Sequence, residues 1–64
     1  MTDWYNKLMS EMLDAIANNL GGRAINAANS AWECAERKWI TYRQAMEINT
    51  LLHNWEVLQD SLNR

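Results

Sequence analysis

The chain contains no proline and only two glycines, which stand side by side at Gly21 and Gly22. Without proline, nothing removes a backbone N–H or locks φ inside a helix, so helical runs continue until a cap, a glycine or a change of apolar face stops them. Runs of β-branched and aromatic residues alternating with polar ones, the mark of strands, are missing. The glycine pair therefore separates a short helical arm from a long one.

Thr2 or Asp3 can cap the first helix, which is expected to run over residues 3–20, with Asn18, Asn19 and the glycine pair forming a left-handed carboxy-terminal cap. At about 100° per residue, Trp4, Tyr5, Leu8, Met9, Met12, Leu13, Ala15, Ile16 and Leu20 fall on one half of this helix. An apolar arc that wide is more than one neighbour covers, so the first helix should lie in a groove between two others.

The long arm carries two stripes. Ile25, Ala28, Trp32, Ala35 and Trp39 follow a 3,4 spacing, flanked by a small-residue row at Ala24, Ala27, Ala31 and Cys34 that admits a close neighbour. Ile48, Leu51, Leu52, Trp55, Leu58 and Leu62 form a second stripe, which on one continuous helix would face almost the opposite way. Thr41 followed by Gln44 makes a capping box at the point of change, and Ser30 with Glu33 a weaker alternative within the unbroken small row. The sequence thus predicts an all-α, three-helix protein, a helical hairpin with a bent or broken second arm, in a single domain over 1–64 with helices at about 3–20, 23–40 and 42–62. A two-helix hairpin with one long helix is the alternative.

A chain of 64 residues builds a core worth only about 3–5 kcal/mol, so something must supplement it. Cys34 is the only cysteine and His53 the only histidine, which excludes an internal disulfide and a four-ligand structural zinc within one chain. His53, Glu56 and Asp60 share one side of the last helix, where solvated polar residues are expected, and they supply too few ligands for a di-metal bundle site. Cys34 belongs to the alanine row and reads as a packed small residue rather than a nucleophile. No nucleophile–base pair or carboxylate dyad can be assembled from spacing, so neither an enzyme nor a cofactor is expected. Four tryptophans and two tyrosines leave aromatic packing and self-association, with a homodimer expected.

A net charge of −2 and pI near 5.1 argue against broad attraction to phosphate. Half of the basic residues nevertheless fall between Glu36 and Gln44, where Arg37, Lys38 and Arg43 surround Trp39 and Tyr42, a candidate nucleic-acid patch. The helix that follows carries Glu47, Glu56 and Asp60, a poor fit for a DNA groove. Nucleic acid and membrane are therefore not the expected partners. The start Met1-Thr2-Asp3-Trp4 resembles no secretory signal, and a cytoplasmic location is expected.

On the last helix Tyr42, Met46, His53 and Val57 lie within about 60° of one another, opposite the Ile48 to Leu62 seam. Such a second face needs a partner, and Trp39, Tyr42, Arg43, Met46 and Val57 are the candidate partner-binding residues, of types concentrated at interface centres. The expected function is a noncatalytic protein–protein interaction, an inhibitor or adaptor docking on a larger host protein. By analogy alone, a chain of the phage or mobile-element type is expected. A small DNA- or RNA-binding regulator and a structural assembly subunit are the alternatives.

Overall fold

The computed structural model describes residues 3–63 as three helices, α1 Trp4–Ala17, α2 Gly21–Glu36 and α3 Tyr42–Leu62, with no strand among the described residues. Asp3 caps α1 by accepting the backbone N–H of Asn6 at 3.1 Å, while Thr2 lies outside the described residues.

The first helix stops at Ala17, short of the expected Leu20, and glycine is not what stops it. Asn19 takes the left-handed conformation, φ 57°, and the N–H groups of Asn19 and Leu20 donate to the carbonyls of Ile16 and Ala15 at 3.1 and 2.7 Å. These are the paired bonds of a Schellman closure, and asparagine enters that region more cheaply than other non-glycine residues. Gly21 and Gly22, neither with positive φ, instead open α2. The same closure ends α2 at Glu36 rather than near Ile40. Here Lys38 takes φ 65°, and Lys38 and Trp39 donate to Ala35 and Cys34 at 3.1 and 2.9 Å. Thr41 then starts α3 with the expected box, its hydroxyl accepting Gln44 N–H at 3.0 Å while the Gln44 side chain accepts Thr41 N–H at 2.9 Å. Helix α2 passes through Ser30 without interruption.

Two contacts set the register of α2 against α3. The Asn49 amide donates to the Ala28 carbonyl at 3.2 Å and to its own Ala45 carbonyl at 2.9 Å, and a Cβ placed on Gly21 would sit 3.7 Å from Cη2 of Trp55. The helices are thus antiparallel, with Ala28 level with Asn49 and Gly21 level with Trp55. Beyond Trp55, α3 has no α2 residue opposite it. With 21 residues against 14 and 16, α3 overhangs the α1–α2 hairpin, and the molecule measures 42 × 18 × 14 Å.

The core corrects the expected first seam. Its centre is the small row, Ala24, Ala27, Ala31 and Cys34 with Ala28 and Ala35, against Leu8 and Met12 of α1 and Ile48 of α3. Ile25, Trp32 and Trp39 are exposed. A middle helix flanked by two others buries whichever stripe allows both to approach, and alanines permit that where tryptophans do not. The second seam is buried only where the hairpin reaches it. Ile48 is fully buried, Leu51, Leu52 and Trp55 half-buried, while Leu58 and Leu62 are exposed.

Candidate interaction surface

The large side chains displaced from the core form a surface. Trp32 and Ile25 lie on the flank of α2 that also carries Ala28 and Gly21, the flank that meets α3. The register places Trp32 level with Ala45 and Met46, and Ile25 level with Leu52. Tyr42, Met46 and His53 lie on the corresponding flank of α3, beside Asn49, at about 20–60° further from the core. The two flanks lie side by side where α2 and α3 meet. Tyr42 is 61 % exposed, Met46 59 % and Trp32 37 %, and Ile25 and His53 are also exposed.

At the α2–α3 turn lies a depression lined by Lys38, Trp39, Ile40 and Tyr42. Trp39, half exposed, stacks on Trp4 of α1 with ring centroids 5.3 Å apart and planes 14° from parallel. Each indole also carries a cation, Lys7 Nζ 4.9 Å from the Trp4 ring and the Arg37 guanidinium 5.1 Å from the Trp39 ring. Attraction of a cation to the negative ring face holds these long side chains in place. Trp4, with Tyr5 and Met9, is the sequence's second choice of surface, but Lys7 is not a candidate, because its proximity to Arg37 and Trp39 depends on how the first helix returns to the turn. Beside them Tyr5 donates its hydroxyl to Glu47 at 2.7 Å. That hydrogen bond, with lesser help from desolvation and the Glu47 charge, raises the phenol above its ordinary value.

The structure brings some candidate residues together and separates others. Trp39 and Tyr42 share the depression, Met46 follows one turn along from Tyr42, and Arg43 is exposed beside them. Val57, exposed on the same side of α3, is fifteen residues from Tyr42, roughly 22 Å along the axis, and belongs to the other end of the face. Arg37, Lys38 and Arg43 are all exposed at the turn, joined there by Lys7.

His53, Glu56 and Asp60 are exposed along α3, Cys34 is buried within the α2 row, and among the described residues no three His, Cys, Asp or Glu side chains converge as metal ligands would. Among the same residues, no helix is long and apolar enough to cross a membrane. Comparison with protein-family models, characterised proteins and solved structures finds no match to this chain.

Proposed function

We propose that this chain is a noncatalytic binding protein, an inhibitor or adaptor that lays the α2–α3 face against a larger protein. The observation that carries the reading is that Ile25 and Trp32 on α2, and Tyr42 and Met46 on α3, are exposed on facing flanks of the two helices, with Trp39 and Arg43 exposed at the turn. Contiguous apolar patches on small proteins mark interaction sites, and Trp, Tyr, Met and Arg are the side chains that supply most of the energy at interface centres. The half-buried Asn49, bonded to both helices, ties α2 to α3, so the face is presented on rigid elements rather than loops. The test is affinity capture from the native host with wild-type and Met46→Glu baits. A protein held by the wild type and reduced at least about thirtyfold by the variant, with the helical spectrum unchanged, supports the reading. Identical captured sets would move the docking surface elsewhere.

A second reading rests on the basic end, where Lys7 and Arg37 lie over the stacked indoles and Lys38 and Arg43 are exposed at the same turn. It would make the chain a nucleic-acid binder. The geometry favours it less, because Trp4 and Trp39 already occupy one another's faces and hold cations over their rings, whereas base stacking needs open faces. Steep loss of single-stranded nucleic-acid binding with rising salt, abolished by Arg37→Ala with Arg43→Ala, would establish it instead.

A further inference from the structure

We propose that the overhanging end of α3 is the seam of a homodimer in which two chains pair their last helices antiparallel, end to end. This surface is separate from the α2–α3 face and goes beyond the docking reading. Leu51, Trp55, Leu58 and Leu62 fall within about 60° of one another on α3, on the side that carries the fully buried Ile48. The stripe is therefore a core stripe, and it outlasts the core. Leu58 and Leu62 are 56 % and 72 % exposed because the antiparallel register leaves no α2 residue level with them.

The same end of the hairpin exposes further leucines. Leu13, one turn before the end of α1, is 50 % exposed. Leu20, at the tip of the hairpin, is exposed as well.

The rim of the stripe selects the occupant. Asn54, Gln59 and Ser61 flank it, whereas Glu56 and Asp60 lie about 130° or more from its centre. Along Trp55–Leu62 a second copy can thus lie against the stripe without opposing its own charges, and among the described residues of that stretch none on the rim would attract a charged partner or an anionic lipid surface. A two-fold axis near Leu58 and Leu62 sets these leucines against their own copies and brings each hairpin tip, with Leu20, over the end of the other α3. Leu20, Leu58 and Leu62 expose on the order of 300 Å² per copy, somewhat under half the roughly 800 Å² per partner of a standard interface, leaving Trp55 and the neutral rim to complete it. Such a dimer also supplies what a core built mainly of alanine lacks.

Sedimentation equilibrium across the micromolar range tests the seam. The wild type is expected to dimerise, and Leu58→Glu with Leu62→Glu is expected to weaken association at least about thirtyfold while the helical spectrum persists, since neither leucine belongs to the hairpin core. An equimolar mixture of Leu58→Glu and Leu58→Lys chains should recover association as heterodimers. A wild type that stays monomeric at high micromolar concentration, a dimer indifferent to these changes, or a dimer broken instead by Met46→Glu overturns the proposal. Capture of a foreign protein by the Leu58→Glu, Leu62→Glu chain reports separately on the α2–α3 face.

Discussion

The left-handed residues and the glycines occupy different positions, so exchanging them should move stability in directions that intuition about glycine reverses. Lys38 sits at φ 65°, where a non-glycine residue costs about 1–2 kcal/mol. Glycine there removes that strain but adds unfolded-state freedom worth about 0.5–1 kcal/mol, so Lys38→Gly should stabilise by roughly 0.5–1 kcal/mol. Gly22 has no positive φ and nothing within 4 Å of an added Cβ. Gly22→Ala should therefore stabilise by about 0.4–1 kcal/mol, equivalent to a midpoint roughly 2–8 °C higher. Asn19→Ala removes a residue suited to φ 57° and should cost about 1 kcal/mol. Urea unfolding followed by helical ellipticity at fixed protein concentration measures all three. Destabilisation by Gly22→Ala of more than about 1 kcal/mol would mean that the glycines form the left-handed cap after all, and the α1–α2 turn would need redrawing.

Trp55→Ala should cost about 2–3 kcal/mol, less than a fully buried tryptophan, whereas Trp32→Ala should cost under about 1.5 kcal/mol in urea unfolding because its ring lies outside the core. Thr41→Ala opens the capping box and should cost about 1 kcal/mol, most of which Thr41→Asp should restore. Because the Tyr5 phenol is raised in the folded chain, its bond to Glu47 contributes stability below the ordinary tyrosine value near 10 and loses it as pH rises through the folded value. In Glu47→Ala the ultraviolet titration of Tyr5 should shift to lower pH, and an unchanged curve would remove the bond from the account.

Three helices were legible in the sequence because breaker, capping box and apolar phase agreed, as at Thr41 and Gln44, where one local pattern specifies one local structure. The ends of α1 and α2 were less legible. Schellman closures at Asn19 and Lys38 rest on backbone bonds, and lysine carries no turn signal to betray them. The first seam was misread for a different reason. Periodicity shows that Ala31 and Trp32 lie on adjacent stripes, but which stripe is buried depends on how many helices approach it, a tertiary quantity. That same ambiguity hid half of the candidate surface. Tyr42 and Met46 could be found as a face opposite a seam, while Ile25 and Trp32 were assigned inward and Trp4 and Lys7 to a helix whose return to the turn no local pattern encodes.

The central claim is that the α2–α3 face is open in the free protein and covered in the complex, and the methionines report on it directly. Met12 is fully buried in the hairpin core and Met46, level with Trp32, is 59 % exposed. With ¹³C-labelled methionine methyls and a soluble paramagnetic agent, the Met46 signal should broaden strongly while Met12 stays sharp. Addition of the captured partner should then protect Met46 and leave Met12 unchanged. A Met46 methyl already protected in the free protein, or one still fully accessible in the complex, would contradict the account.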